Sequence, residues 1–305
     1  MYPVERVYSH KAYMAWRSGE AERSGQKLKH FKQTWRDVSG GPFWDVATWA
    51  ELRTAVSFLT LMNKRDVLYF RGQGEHHARC LPVLFRPRWF LRGRSLPLRP
   101  DNRGRYYALL SELGADVLRV AKRIGMPRTY ILEHVASAAA SILQHYELWP
   151  THFIDVTRSL PTALAFAEGD GGRTQAYLYV FAMPDLRGSI TSDIDQQLSL
   201  ARLEAICPPA ATRPHDQDAY LVARFPEPRG AASPGDIIWD DWQRKTDLMR
   251  RLVAKFSLTL QSGRLPGAPR LELSFLAPPF ENDPFGKALH DSLLPTIERY
   301  VAPLT

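Results

Sequence analysis

The chain has 305 residues, of which 45% are hydrophobic and 24% charged, a composition typical of a globular protein with a sizeable buried core. Its two cysteines are too few for a disulfide framework, and no stretch approaches the roughly 20 apolar residues of a membrane-spanning helix. The N-terminus lacks the apolar core of a secretory signal, so we expect a cytoplasmic protein with no membrane partner.

The net charge of +8 is unevenly distributed along the chain. From Arg79 to Arg105 there are eight arginines and one acidic residue, Asp101. Because arginine makes fork-like contacts with phosphate and carboxylate groups, this stretch predicts an anion-facing surface. A solvated basic loop would explain the same composition.

In the first third of the chain, one helix and one strand are indicated. Residues 1–44 are polar and basic and predict a short helix with a loop, or an arm that lies on the body of the protein. From Asp45 to Leu59, apolar residues recur at helical spacing, and VLYFRG at 67–72 then predicts a strand. Prolines at 82, 87, 97 and 100 follow, so regular structure in the arginine-rich region should be short.

The remaining elements alternate between helical and extended patterns. Helices are predicted at Tyr106–Ile124, Thr129–Leu143, Pro161–Glu168, 234–255 and 287–301, and strands at Ala176–Ala182, Ala219–Phe225 and 270–276. This order predicts a single α+β domain over residues 45–305, in which helices flank a central mixed sheet and a helical extension closes the chain.

Polar residues cluster at the ends of three apolar segments. Arg71 and Gln73 follow VLYF, residues 145–157 follow an alanine-rich helix, and residues 213–218 precede a strand. Functional groups often lie at such positions on a rigid scaffold. Gly72, next to Arg71, would let another backbone or a ligand approach closely, although a structural ion pair is the alternative role for the arginine.

Asp155 is the one carboxylate in the apolar run FIDV. It is therefore either desolvated and paired, with an arginine or a threonine hydroxyl as partner, or placed at the exit of a strand. A metal site is not predicted, because the adjacent His76 and His77 diverge and no further ligands complete a set with Cys80. Nucleophile-elbow and phosphate-loop motifs are absent.

Three segments resemble the FRG domain, a family of bacteria and phages. They are FRGQ at 70–73 with the following LPVLFRP, QHYELWPTHFIDVTRSLPTALAFA from Gln144 and, more loosely, RPHDQDAYL from Arg213. The resemblance covers about residues 45–225. The chain departs from the family pattern at four positions, with Glu147 for glycine, His152 for arginine, Val156 for tryptophan, and an extra Trp149.

Because FRG proteins occur in mobile elements, phages and defence loci, the resemblance implies a toxin or phage-defence effector. The layout also looks like that of ADP-ribosyltransferases, in which an early strand carries arginine or histidine, a second carries tyrosine, serine or threonine, and a polar residue opens a third. This likeness implies an ADP-ribosyltransferase-like fold and NAD as the substrate. The enzyme would then be an ADP-ribosyltransferase or an NAD hydrolase.

The same likeness implies roles for individual residues. Arg71 would hold the nicotinamide ribose or a phosphate of NAD, and Thr157 or Tyr146 would line the nicotinamide pocket. A carboxylate such as Asp218 would stabilise the oxocarbenium-like charge, whereas Gln217 could only orient the substrate. The predicted catalytic residues are Arg71, Asp155, Gln217 and Asp218. The predicted NAD contacts are Arg71, Gln73, His145, Tyr146, Thr151, Thr157 and Arg213.

Two other classes of function fit the sequence. A nucleic-acid-binding or nuclease module would use Arg86, Arg88, Arg92 and Arg94, interleaved with the aromatic residues Phe85, Trp89, Phe90 and Tyr106. Metal-dependent cleavage would need a carboxylate cluster, for which the candidates are Asp155, Glu168, Asp170 and Asp193. A non-catalytic sensor would instead use the same pocket to bind a small ligand or a partner protein.

Overall fold

The computed structural model describes residues 1–91, 94–97, 100–185, 187–225 and 239–301. Its α-helices are α1 (His10–Arg17), α2 (Glu20–Arg23), α3 (Trp35–Gly40), α4 (Trp49–Met62), α5 (Pro100–Arg123), α6 (Tyr130–His134), α7 (Ala136–His145), α8 (Leu160–Glu168), α9 (Thr212–Asp216), α10 (Trp239–Thr246), α11 (Leu273–Leu276) and α12 (Pro284–Val301). Its strands are β1 (Trp44–Val46), β2 (Val67–Gln73), β3 (Arg88–Leu91), β4 (Arg94–Pro97), β5 (Ile154–Thr157), β6 (Gln175–Met183), β7 (Ile190–Asp193), β8 (Leu198–Arg202), β9 (Ala219–Arg224) and β10 (Leu252–Thr259).

Within these ranges, eight strands form one sheet in the order β1-β10-β6-β2-β5-β9-β8-β7. The β1–β10 pair is parallel and the other neighbouring pairs are antiparallel. A mixed sheet flanked by helices confirms the predicted single α+β domain. None of the helices in the described ranges is long and apolar enough to span a membrane.

Hydrophobic cores cover both faces of the sheet. On β9, Tyr220 and Val222 belong to one core, whereas Leu221 and Ala223 belong to the other. Because successive side chains of a strand point to opposite faces, the two cores lie on opposite sides of the sheet. The first core packs the N-terminal residues, α4 and α8 against the sheet, and the second packs α5, α7 and α12.

Residues 1–44 lie on the body of the protein. The backbone amides of Tyr2 and Val4 donate to the carbonyls of Gln196 and Arg250 at 2.8 and 2.9 Å. Several side chains of this region are buried in the first core, among them Val7, Ala12, Tyr13, Phe31 and Val38. The region therefore shares its core with the sheet rather than forming one of its own.

The predicted amphipathic helix after Asp45 is confirmed as α4. Its first turn is capped, because the Thr48 hydroxyl accepts a hydrogen bond from the backbone amide of Glu51 at 3.3 Å. One face buries Leu52 and Leu59 against the sheet. Predicted short structure in the arginine-rich region is also found, as the hairpin of β3 and β4.

The helix predicted at residues 234–255 is wrong in its second half. Residues 226–238 lie outside the described residues, but α10 ends at Thr246 and Leu252–Thr259 form β10. All residues of this strand from Leu252 to Leu258 are buried. The strand begins with a short apolar run at residues 252–254, which fits the end of a helix as well as a strand, and the run was misread as helix.

Two further boundaries differ from prediction. The strand predicted at 270–276 is wrong, because Leu273–Leu276 form the single turn α11, where the Leu276 carbonyl accepts a hydrogen bond from Gln217 Nε2 at 2.7 Å. That tertiary contact outweighs a local preference for strand. The helix predicted at Thr129–Leu143 is interrupted at Val135, whose extended backbone separates α6 from α7.

Candidate functional site

The candidate site lies where strands β2 and β5 separate. The two strands pair at one position, Phe70 with Thr157. Beyond that pair, the Arg71 side chain takes the place of a backbone ladder bond, because its Nη1 donates to the backbone carbonyl of Asp155 at 2.5 Å. The gap opens a cleft of about 200 Å³ in the middle of the sheet.

Gly72 positions the helix on one side of this gap. A Cβ atom at residue 72 would lie 1.7 Å from the carbonyl oxygen of Ala163 and 2.8 Å from the amide nitrogen of Ala167, both in α8. Only glycine allows so close an approach of helix to strand. The prediction that Gly72 permits close approach of another backbone is confirmed, and it explains why Thr162, Ala163 and Phe166 of α8 reach the cleft.

The Asp155 carboxylate is held from α7 on the other side. Gln144 Nε2 donates to Asp155 Oδ2 at 3.1 Å, and the Thr151 hydroxyl donates to Gln144 Oε1 at 2.8 Å. His145 Nδ1 lies 3.4 Å from Asp155 Oδ1. Asp155 is thus both paired and partly exposed to the cleft, with a side chain that is 38% accessible.

These contacts set the charge states of the pair. Burial disfavours the charged carboxylate, but the hydrogen bonds from His145 and Gln144 and the charge of Arg71 outweigh it and hold the pKa of Asp155 below its usual value. Burial lowers the pKa of His145, an effect that its hydrogen bond to Asp155 opposes. At neutral pH we therefore take Asp155 as ionised and His145 as neutral, with the proton on Nδ1.

Three buried nitrogen atoms of residues that line this cleft have no hydrogen-bond partner among the described residues. They are Arg71 Nε, His145 Nε2 and Arg213 Nε. Buried polar groups are nearly always paired, so three unpaired ones around one cleft mark it as an unusual place in the molecule. In the neutral tautomer assigned above, His145 Nε2 is a proton acceptor and the two arginine atoms are donors.

Arg213 is held by Tyr146 and by Asp283, of which Asp283 lies outside the FRG-like region. Its guanidinium lies 5.5 Å from the centre of the Tyr146 ring, and the Tyr146 hydroxyl donates to Asp283 Oδ2 at 2.9 Å. The backbone amide of Arg213 donates to the same oxygen at 3.2 Å. Asp283 is fully buried and also accepts from Gly286 in α12. The closing helix therefore helps to place Arg213.

Thr157 and Gln217 line the cleft, but their side chains have structural partners. The Thr157 hydroxyl donates to the Gln217 carbonyl at 2.8 Å, and Gln217 Nε2 donates to Leu276. Tyr146 and Thr151 are buried behind the cleft and do not line it. They position Arg213 and Gln144 rather than contact a ligand, which corrects their predicted role as NAD contacts.

Asp218 is the predicted catalytic residue that the structure does not bring to the cleft. Its neighbours are Glu204, Arg158 and Tyr220, and burial, with the Glu204 charge, raises its pKa. The chain turns at this residue, whose φ of 45° is left-handed. Gln217 and Ala219 on either side line the cleft, whereas Asp218 does not. The role of carboxylate at the cleft falls to Asp155 instead.

A second, larger cleft of about 790 Å³ continues from the first. The two share Arg71, Gln144, Glu147 and Asp155. The larger cleft is also lined by Gln73, Arg79, Arg86, Arg88, Trp89 and Gln243, among others. Of the four arginines predicted to bind nucleic acid, Arg86 and Arg88 thus lie in this cleft, Arg92 lies outside the described residues, and only the backbone of Arg94, in β4, is described.

Sequence reasoning missed Gln144 and Glu147 as cleft residues. Gln144 stood next to the predicted His145, but nothing in its identity indicated a link to Asp155 eleven residues later. Glu147 occupies the position where FRG domains usually have glycine, and its φ of 56° is the left-handed conformation that glycine adopts freely. The exposed Glu147 side chain lies at the rim of both clefts.

His76, His77 and Cys80 line the larger cleft, whereas the other candidate carboxylates lie elsewhere. His76 Nδ1 is 2.8 Å from the Tyr179 hydroxyl, and the backbone amide of the buried Cys80 donates to Asp247 Oδ1 at 3.0 Å. No group of three histidine, cysteine, aspartate or glutamate residues that could hold a metal ion occurs among the described residues. The nuclease candidates Glu168, Asp170 and Asp193 do not join Asp155, because none of them lines either cleft.

Comparison of the chain with family models, with curated proteins and with solved structures gave no match. The resemblance to the FRG domain therefore rests on the three quoted segments, and it stays a prediction.

Proposed function

We propose that the chain is an NAD-consuming enzyme, either an ADP-ribosyltransferase or an NAD hydrolase, that acts as a toxin or phage-defence effector. The observation that carries this proposal is the combination in one small cleft of an ionised carboxylate, Asp155, with the two arginines Arg71 and Arg213. Cations suit the phosphate or ribose groups of NAD, and the carboxylate suits the positive charge that develops on the ribose.

The chemistry assigns a step to each of these groups. As the bond between the ribose C1′ and the nicotinamide nitrogen breaks, its electron pair leaves with nicotinamide, which becomes neutral. Asp155 stabilises the oxocarbenium-like ribose that remains. The oxygen of water, or the nucleophile of an acceptor, then bonds to C1′. The partly exposed Asp155 carboxylate accepts the proton that this nucleophile loses, and His145 Nδ1 and Gln144 Nε2 hold the carboxylate in place.

Nicotinamide release from NAD by the purified chain tests the proposal, with and without protein and nucleic-acid acceptors. Asp155→Asn keeps the shape of the side chain but removes its charge, so we expect a loss of about 100-fold or more in rate. Asp291→Asn is the control, because this substitution removes the same charge from an exposed residue of α12. Asp291 pairs with Lys287. A wild-type chain that releases no nicotinamide and transfers no ADP-ribose under any of these conditions contradicts the proposal.

A nucleic-acid-binding module is the second candidate, and Arg79, Arg86 and Arg88 along the larger cleft favour it. Phosphate contacts release counterions, so affinity for DNA or RNA would fall steeply between low and moderate salt. Absence of binding at low salt would exclude this function. A ligand sensor would instead bind NAD or another anion in the same cleft without turnover.

A further inference from the structure

The larger cleft contains an arginine whose position the proposed reaction does not explain. Arg86 follows a short 3₁₀ helix at Val83–Phe85 and lines the cleft that continues from Arg71. Its Nε donates to the carbonyl of Leu81 at 3.0 Å, and no carboxylate lies within 4 Å of its guanidinium in the part of the chain that the structure describes. Its two terminal nitrogens are therefore available to a ligand.

Arg86 is rigidly placed. The Leu84 amide donates to the Thr151 carbonyl at 3.1 Å, which ties the short helix to the segment before β5. Gln243 of α10 donates to the carbonyl of Phe85 at 3.1 Å. A guanidinium held in this way loses little conformational entropy when it binds an anion.

The two cations Arg71 and Arg86 line the same cleft and repel each other. Burial and the nearby charge of Arg71 lower the pKa of Arg86, so the folded chain keeps two like charges together at a cost. The Asp155 and Glu147 carboxylates offset part of this repulsion, but Asp155 directs its oxygens to Gln144 and His145. An anion between the two guanidinium groups would remove the remaining cost, and phosphate suits arginine because the two can form bidentate hydrogen bonds.

We propose that Arg71 and Arg86 bind the diphosphate of a nucleoside diphosphate, with its nucleoside in the larger cleft and the group attached beyond the diphosphate in the smaller one. The larger cleft, at about 790 Å³, has the size of a small-molecule site, whereas the smaller cleft, at about 200 Å³, suits a single ring and sugar edge. That the ligand is NAD rests on the proposed function, but binding of the diphosphate does not require turnover.

Calorimetric titration of the full chain with ADP, ADP-ribose, AMP and adenosine tests the assignment. We expect ADP and ADP-ribose to bind at least about 10-fold more tightly than adenosine, because each charge-assisted contact adds to affinity. Arg86→Met should weaken ADP binding about 10- to 100-fold, and Arg86→Lys, which keeps the charge but not the fork, should fall between. Arg187→Met is the control, since it removes the same charge from an exposed residue that lines neither cleft.

Each result bears on one conclusion. ADP that binds no better than adenosine to the wild-type chain, or equally to the wild type and to both Arg86 variants, overturns the diphosphate site. Thermal unfolding of each variant verifies that it is folded. If Arg86→Met does not fold, the comparison of ADP binding is made with Arg86→Lys alone. Tight ADP binding that depends on Arg86, in a chain that releases no nicotinamide from NAD, supports the diphosphate site and contradicts the proposed enzymatic function.

Discussion

Glu147 is strained where it stands. It follows the C-terminal end of α7 with a left-handed φ of 56°, a conformation that costs most residues free energy and glycine very little. Its negative charge also lies at the negative end of the helix dipole. Residues kept in unfavourable conformations cluster at functional sites, and Glu147 is at the rim of both clefts.

Glu147→Gly should therefore stabilise the protein. We expect the free energy of unfolding to rise by about 1 kcal/mol, because glycine relieves the left-handed strain. Urea denaturation followed by circular dichroism measures the change. Glu147→Ala is the matched control, since alanine removes the charge but keeps the strain, and it should give less than half the gain. Equal gains from the two variants would show that the charge, not the backbone, is the cause.

His152 gives the chain a dependence of stability on pH. Its side chain is buried, neither ring nitrogen has a hydrogen-bond partner among the described residues, and burial lowers its pKa to about 4. In the unfolded chain the pKa returns to about 6.5. The unfolded state thus binds a proton at a pH where the folded state does not, so stability falls as the pH drops from 6.5 towards 4.

His152→Leu should remove this dependence. At pH 5 the histidine costs about 2 kcal/mol of stability relative to pH 7.5, a cost that leucine, of similar volume, does not carry. The free energy of unfolding of wild type and variant, measured at both values of pH, tests this. A difference between the two proteins that is the same at pH 5 and pH 7.5 would contradict it.

At the scale of the elements, the cleft depends on the contact between β2 and α8. Ser159 caps this helix through its hydroxyl, which accepts from the Thr162 amide at 3.2 Å, and Gly72 lets the helix lie directly against the strand. The FRGQ segment thus supplies Arg71 to the cleft and Gly72 to the packing that forms the wall of the cleft.

Gly72→Ala should disrupt this packing. A Cβ at 1.7 Å from the Ala163 carbonyl cannot be accommodated without moving α8, and we expect a loss of more than about 3 kcal/mol or a failure to fold. Thermal unfolding measures the loss. Gly114→Ala in α5 is the control, because a Cβ there meets the side chain of Ala139 in α7 at an ordinary 3.4 Å. This variant should gain up to about 1 kcal/mol in the free energy of unfolding. Equal stability of Gly72→Ala and wild type would refute the packing argument.

The sequence predicted local elements better than the contacts between them. Helical spacing identified α4, and the apolar runs of β2, β6 and β9 were read correctly. Strand β10 was misread because the short apolar run at its start fits helix and strand alike, and α11 because its carbonyl contact with Gln217 lies outside its own segment. Local patterns carry no information on partners that are distant in the chain.

The candidate site shows the same limit. Arg71 and Asp155 were identified by their positions at strand ends, and both line the cleft. Asp218 was chosen because it precedes β9, but a turn at that residue takes it away from the cleft. Arg86 was assigned to a nucleic-acid surface, and its proximity to Arg71 arises from hydrogen bonds to Thr151 and Gln243 that no local motif encodes.

At the scale of the whole molecule, the cleft joins the two cores. One wall comes from α8 and the first core, and the other from α7 and the second. Asp283, before α12, fixes Tyr146 and Arg213 from a region that the FRG resemblance does not cover. The site therefore requires the chain from β2 to α12, and a fragment that ends before α12 would lack the support of Arg213.

The most direct test of the proposed function is a crystal structure of the Asp155→Asn variant with NAD bound. We expect the nicotinamide and its ribose in the smaller cleft beside residue 155, and the diphosphate between Arg71 and Arg86. Isothermal titration of the same variant would show whether binding survives the loss of the charge. Ligand density away from Arg71, or an absence of NAD at saturating concentration, would contradict the account.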